Sequence, residues 1–163
     1  MTLSPDGFTL RPGTAFDLPA VAEVMRQAFD PEYGEAWTQA QCAGILSLPG
    51  VWMTVAQTNG MIAGFTLSRA VVDEGELLLI ATHPSCRRRG IGAALLRSVL
   101  EEAKKRNVTH LHLEVRAGNT AVELYRSHGF IKTGERRDYY RGMSSTTYDA
   151  HSFTREIENN LEI

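Results

Sequence analysis

The segment ELLLIATHPSCRRRGIG, residues 76–92, carries the strongest structural signal in this chain. Its first part, Glu76–Thr82, contains a continuous apolar run that predicts a central strand covered on both faces. Its last part places three arginines against Gly90 and Gly92, where an amphipathic helix over Gly90–Arg106 is predicted to begin. A helix N-terminus offers unpaired N–H groups and a positive dipole end, and glycines let the backbone approach an anion closely. The segment therefore predicts a phosphate-binding loop.

Two other interpretations of this loop compete with that prediction. A lone Gly-x-Gly most often forms only a tight turn. Three adjacent arginines repel one another, however, and bound phosphates would neutralise their charges, which favours a phosphate-binding role. A dinucleotide-binding fold also has Gly-x-Gly between strand and helix, and Glu114 stands near the position of its acidic residue. Leu95 occupies the third glycine position and the motif lies mid-chain after a hairpin meander, so dinucleotide binding is the weaker alternative. No Gly-Lys-Ser/Thr occurs, as a P-loop would require.

Length and composition restrict the class of protein. The 163 residues, 43% hydrophobic and 22% charged, predict a single globular domain over residues 1–163, with residues 1–7 as a flexible tail. The net charge of -2 argues against nucleic-acid binding by the whole surface. No apolar run approaches the ~20 residues that span a membrane, and the two cysteines fit neither a disulfide scaffold nor a zinc site. We expect a cytoplasmic protein with no metal.

The rest of the chain predicts alternating strands and helices. Asp17 is a candidate N-cap, Thr38 and Gln41 have the spacing of a capping box, and Asn59-Gly60 is a hairpin turn signal. The other predicted strands are Phe8–Arg11, Val51–Gln57, Met61–Val72, Thr109–Arg116, Phe130–Glu135 and Tyr148–Ile157, and a further helix runs from Asn119 to Gly129. This order predicts an α+β or α/β fold, a mixed sheet with helices on its faces.

These motifs resemble the GCN5-related N-acetyltransferase (GNAT) superfamily, whose signature Gln/Arg-x-x-Gly-x-Gly/Ala follows a strand. Arg87, Gly90 and Gly92 fill its fixed positions, and the resemblance extends from Phe8 onward. Segments resembling the ribosomal-protein-alanine (RimI-type) branch are Glu76–Ala81, Leu113–Arg116, Leu124-Tyr125, Gly129-Phe130 and Arg136–Tyr140. The spacing from Asn119 to Tyr125 is one residue shorter than in that branch, which leaves the placement of Asn119 open.

The resemblance implies a mostly antiparallel sheet of about seven strands flanked by four helices, with acetyl-CoA as cosubstrate. The pantetheine arm is expected along the end of Glu76–Thr82, the pyrophosphate on the backbone amides of residues 88–92, and the ribose phosphate near the arginines. The implied cofactor-binding residues are Ile80, Ala81, Thr82, Arg87, Arg88, Arg89, Gly90, Ile91, Gly92 and Asn119.

An acyltransferase that acts on an amine needs a base for the amine and an acid for the departing thiolate. By resemblance, Glu114 is the base, acting through water, and Tyr125 is the acid. A protein α-amine has a pKa of about 7.7–8.0, so a modest base suffices, whereas lysine at about 10.4 demands more. Core packing is the alternative role for Tyr125, and Glu76 is a second candidate base.

In this family the first interhelical loop and a late loop flank the acceptor groove. Tyr33, Trp37, Tyr139 and Tyr140 fall there and are candidates to hold an extended peptide, although a core role suits Trp37 equally well. The expected acceptor is a protein N-terminus, including that of a ribosomal protein, and the expected state is a monomer or weak dimer. A small-molecule amine, a lysine, or a non-catalytic acetyl-CoA sensor are the alternatives. The roles of Glu76, His112 and Cys86 stay open.

Overall fold

The computed structural model describes residues 7–158 of the chain. The tail expected at residues 1–7 therefore lies outside the described residues except for Gly7. The carbonyl oxygen of Gly7 accepts a hydrogen bond from Thr58 Oγ1 at 2.8 Å. None of the helices within residues 7–158 is long and apolar enough to cross a membrane.

The described part of the chain folds into one seven-stranded sheet with four α-helices. The elements are β1 (Thr9–Pro12), α1 (Leu18–Ala28), α2 (Gln39–Leu46), β2 (Val51–Thr58), β3 (Met61–Val71), β4 (Glu74–Thr82), α3 (Ile91–Lys105), β5 (His110–Arg116), α4 (Ala121–Ser127), β6 (Ile131–Arg141) and β7 (Thr147–Glu156). The strand order is β1-β2-β3-β4-β5-β7-β6, and within residues 7–158 the pairing is antiparallel except between β4 and β5. The predicted mixed, mostly antiparallel sheet with four helices is confirmed.

Local sequence signals account for most element boundaries. In the capping box at the start of α2, Gln41 N donates to Thr38 Oγ1 at 3.1 Å and Thr38 N donates to Gln41 Oε1 at 2.8 Å. Asn59 and Gly60 both have positive φ, as the predicted hairpin requires. Asp17 precedes α1 but does not cap it through its side chain, because its carboxylate pairs with Arg11 at 2.7 Å instead.

Three core clusters hold the helices on the sheet: one contains residues of α1, and the other two contain residues of α3. Leu18, Val21, Val24 and Met25 of α1 pack on one face. The predicted stripe of α3 packs on the other, where Leu95, Val99 and Ala103 are fully buried. The described chain is thus a sheet between two helical layers.

The centre of the sheet opens where β4 and β5 separate. Leu67 pairs with Leu79 and Ser68 with Leu77, so Leu78 is an extra residue that forms a bulge in β4. The parallel pairing with β5 ends at Leu77, opposite Leu113. Beyond that point the two strands diverge. The second face of this predicted central strand is therefore only half-buried, because it borders a cleft.

The late segment differs from the prediction, which ended the strand at Glu135. Strand β6 continues to Arg141, with an irregular register between Arg136 and Tyr140 and a positive φ at Asp138. Tyr139 and Tyr140 therefore lie in a bulged strand rather than in a loop. Pairing with β7 supplies the backbone hydrogen bonds that the polar sequence did not reveal.

Candidate active site

The predicted phosphate-binding loop precedes α3 as expected. Gly90 has a φ of 77°, a conformation that favours glycine, and Ile91 is the first helical residue. The first amide with an intrahelical acceptor is that of Ala94, which donates to Gly90 O at 3.0 Å. The N–H groups of Ile91, Gly92 and Ala93 thus have no acceptor within the helix and lie at its positive end.

A cavity of about 590 Å³ borders this helix start. It extends from the end of β4 to the start of α4. It brings together Ala81, Thr82, Arg87, Arg88, Gly90, Ile91, Gly92 and Asn119 from the predicted set. Arg89 is not among its lining residues, and its guanidinium lies 3.3 Å from Thr58 Oγ1 on another side of the loop. Ile80 lines a second, smaller cavity.

Asn119 keeps a position in the site despite the shortened spacing. Its Oδ1 accepts a hydrogen bond from Ala121 N at 2.9 Å, which satisfies an amide at the start of α4. Its Nδ2 donates to Glu35 Oε2 at 3.0 Å. Asn119 lines both cavities and joins them to the loop between α1 and α2.

The smaller cavity, about 60 Å³, lies where β4 and β5 separate, and both predicted catalytic residues line it. Tyr125 is buried, and its hydroxyl makes no hydrogen bond with the described part of the chain. Burial, and secondarily the negative charge of Glu35, raises the pKa of this phenol. The ring also packs edge-on against Phe130, with centroids 6.0 Å apart. Tyr125 can therefore serve in packing while keeping a proton available to the cavity.

Glu114 lies between this cavity and a groove of about 420 Å³. Alternation along β5 buries Leu113 and Val115 on one face and turns Glu114 to the other. Its Oε2 accepts a hydrogen bond from Ser152 Oγ at 2.7 Å, and its Oε1 lies 3.1 Å from Arg136 Nε. The carboxylate is thus held in a fixed position at the junction of the two spaces.

Glu35 is a site residue that sequence reasoning missed. It accepts hydrogen bonds from Arg116 Nε at 3.2 Å and from Asn119, and its side chain is only 11% exposed. The Arg116 guanidinium lies 3.7 Å from the centroid of the Tyr33 ring. No spacing signal connects Glu35 to β5, because the contact joins residues 81 positions apart.

The four predicted acceptor-binding aromatics have different environments. Tyr33 lines the larger cavity, and the Tyr140 hydroxyl donates to Glu114 O at 3.3 Å in the smaller one. Tyr139 is 47% exposed, and its ring is 4.9 Å from that of Tyr140. Burial raises the pKa of both Tyr139 and Tyr140. Trp37 lines neither cavity and packs against the α1 core, which favours the core role that the sequence left open.

The remaining candidates contact other residues of the chain or are buried. Glu76 pairs with Arg69 at 3.0 Å, and His112 Nε2 lies 2.5 Å from Glu74 Oε2. Cys86 is buried and lines the larger cavity. Within residues 7–158 no cluster of three or more His, Cys, Asp or Glu side chains is suited to a metal ion.

A bulged central strand splits from its parallel neighbour, and a helix start whose first N–H groups have no intrahelical acceptor lies beside the split; this arrangement is that of an acetyltransferase fold. The family model for the acetyltransferase (GNAT) domain matches residues 19–150, and the chain belongs to this family. The resemblance found in the sequence is thereby confirmed.

Particular relatives refine the comparison. The chain is 33% identical over 153 residues to the N-alpha-acetyltransferase RimI of Mycobacterium tuberculosis, covering 91% of this chain and 94% of that protein. It is 46% identical over 83 residues to the [ribosomal protein bS18]-alanine N-acetyltransferase of Escherichia coli, covering 50% of this chain and 56% of that protein. The match thus spans about half the length of that relative. The crystal structure of the ribosomal-protein-S18-alanine N-acetyltransferase from Escherichia coli superposes with a TM-score of 0.81 at 32% identity, covering 96% and 99% of the two chains.

Proposed function

We propose that this chain transfers the acetyl group of acetyl-CoA to the N-terminal α-amine of a protein, by direct attack in a ternary complex. The expected acceptor begins with alanine or another small residue, as at the N-terminus of a ribosomal protein. One observation carries the proposal: Glu114 and Tyr125 line the same small cavity at the split between β4 and β5. The named activities of the relatives support it.

The larger cavity has the chemistry needed for acetyl-CoA. The anionic phosphates of acetyl-CoA can accept hydrogen bonds from the N–H groups at the start of α3 and from the side chains of Arg87 and Arg88. The edge of β4 from Leu78 to Thr82 is not paired with β5, so its backbone can hydrogen-bond the amides of the pantetheine arm. Acetyl-CoA supplies the acetyl group as a thioester.

Two proton transfers accompany acyl transfer. The amine nitrogen bonds to the acyl carbon as the carbon–sulfur bond breaks, and the amine proton passes through water to Glu114. Deprotonating an α-amine at pH 7 costs about 1 kcal/mol, against more than about 4 kcal/mol for a lysine, so one carboxylate is sufficient. Tyr125 donates its phenolic proton to the departing sulfur. The raised pKa of this phenol keeps it protonated until that step.

The test uses purified protein, acetyl-CoA and three acceptors, with products identified by mass spectrometry. The acceptors are a peptide with N-terminal alanine, the same peptide with a blocked α-amine and a free internal lysine, and a polyamine. We expect acetylation of the alanine peptide alone. Acetylation confined to the lysine peptide or polyamine would contradict the acceptor assignment, and binding without turnover would indicate a sensor. The cytoplasmic location and the monomeric or weakly dimeric state stay predictions.

A further inference from the structure

The Glu114 carboxylate is covered on its groove side by an arginine from a strand two positions away in the sheet. Arg136, on edge strand β6, brings Nε to 3.1 Å from Glu114 Oε1. The Arg136 side chain is 62% exposed, whereas that of Glu114 is 16% exposed. Both residues line the groove of about 420 Å³. An exposed surface cation is therefore paired with one oxygen of a mostly buried carboxylate.

The acceptor amine needs the same oxygen. Oε2 accepts the hydrogen bond of Ser152 and Oε1 faces Arg136 in the groove, so an ammonium group or bridging water that approaches Oε1 competes with Arg136. The small cavity holds only about 60 Å³ and the groove about 420 Å³, so the groove is the wider approach to Glu114 for a peptide N-terminus. Its ammonium group would meet the Arg136 guanidinium there, and two like charges cannot share one carboxylate oxygen without repulsion.

Arg136 is held in a way that lets it leave. Besides the ion pair with Glu114, Arg136 contacts the Tyr139 ring only at a long distance, with the guanidinium carbon 5.7 Å from the ring centroid. Ion pairs with one highly exposed partner contribute little, so exchange of one cation for another is inexpensive. Arginine stays protonated at all relevant pH values, so Arg136 cannot act as an acid or base in the reaction.

We propose that Arg136 is a placeholder for the acceptor ammonium group on Glu114. It pairs with Oε1 when no acceptor is present and moves into solvent when the acceptor enters, which frees Oε1 for proton transfer. Arg136 is a positioning residue rather than a catalytic one. The inference rests on the proposed function, because it takes Glu114 as the base for an α-amine.

The first test compares Arg136→Met with Arg137→Met in steady-state acetylation of the alanine peptide at saturating acetyl-CoA. Arg137 is the adjacent exposed arginine and makes no ion pair with Glu114, so it is the matched control. Removing the competing cation should lower the acceptor KM of Arg136→Met by about two- to fivefold, the range expected for a weak ion pair, with kcat and the KM for acetyl-CoA unchanged. Arg136→Lys should retain a KM near that of the wild type, and Arg137→Met should not differ from it.

The second test measures binding by calorimetry in the presence of CoA, which cannot acetylate. The probes are the alanine peptide and its analogue with a hydroxyl in place of the α-amine. Only the charged peptide competes with Arg136. The ratio of the affinity for the alanine peptide to that for the hydroxyl analogue should therefore rise in Arg136→Met, by the same factor as the acceptor KM falls. An acceptor KM that is unchanged or raised in Arg136→Met, or an equal change for both peptides, would overturn the placeholder role alone. Failure of the wild type to acetylate the α-amine would overturn the proposed function and this inference together.

Discussion

Replacing Glu35 with alanine tests whether the loop between α1 and α2 is anchored on the site. The change removes the carboxylate that accepts from Arg116 Nε at 3.2 Å and from Asn119 Nδ2 at 3.0 Å. The two side chains of the ion pair are 15% and 11% exposed, so Arg116 would lose its partner where water has little access.

The expected loss of stability lies between the limits for buried and exposed pairs. Removing one partner of a fully buried pair costs about 3–5 kcal/mol, and an exposed pair contributes about 0.2–1 kcal/mol. Arg116 lies nearer the buried limit but keeps its contact with Tyr33 and its hydrogen bond to Ala117 O. We therefore expect Glu35→Ala to lower the free energy of unfolding by about 2–3 kcal/mol, or the Tm by about 4–10 °C.

Urea and thermal unfolding of five variants, one of which is Arg116→Met alone, measure this loss. Glu35→Gln keeps one acceptor oxygen and should lose about half as much, and Glu35→Ala with Arg116→Met should lose less than the sum of the single variants because the two residues interact. Glu23→Ala is the control, since Glu23 forms an exposed pair with Arg26 on α1, and its loss should be much smaller than that of Glu35→Ala. A Glu35→Ala loss no larger than that of the control, or additive losses in the double variant, would refute this reasoning.

Further predictions concern the site and the core. Tyr125→Phe should lower kcat about 100-fold with little change in acetyl-CoA affinity, because it removes a proton donor, and equal losses in both parameters would indicate packing alone. Burial raises the pKa of Tyr125, so the phenol stays protonated at pH values up to about 10, the ordinary pKa of tyrosine. Ionisation of Tyr125 should therefore cause no fall in wild-type kcat up to about pH 10. Glu114→Gln should shift the pH–rate profile to higher pH, because the amine must then lose its proton unaided, and a pH-independent loss would contradict the base role. Gly90→Ala and Gly60→Ala both place a Cβ atom at positive φ, where no other heavy atom lies within 4 Å. Each should therefore lower the free energy of unfolding by about 1–2 kcal/mol through backbone strain alone. Calorimetry should show weaker acetyl-CoA binding only for Gly90→Ala. Thr66→Val should stabilise the protein by about 1 kcal/mol in urea unfolding, because the Thr66 hydroxyl is fully buried without a hydrogen-bond partner in the described part of the chain.

The bulge at Leu78 connects the fold to the proposed chemistry. Continued pairing of β4 with β5 past Leu77 would close the space that Glu114 and Tyr125 line. The extra residue lies where pairing with β5 ends, next to the unpaired edge of β4 and to the cavity that Glu114 and Tyr125 line.

The amino-acid sequence by itself was enough to predict the elements whose causes are local. The capping box at Thr38, the hairpin turn at Asn59-Gly60 and the glycine at the start of α3 each depend on a few neighbouring residues, and all three were confirmed. Period-two burial along β5 likewise follows from the order of its residues. Family resemblance then selected Glu114 and Tyr125, and the structure places both beside one cavity.

Only the tertiary structure decided which distant groups meet. It pairs Glu35 with Arg116, covers Glu114 with Arg136, turns Arg89 away from the larger cavity and extends β6 through Tyr140. Each of these depends on strand register or loop packing between segments far apart in the chain, where a shift of one residue changes every contact. Such contacts have no local signature, because the composition of either segment alone is compatible with a solvated surface.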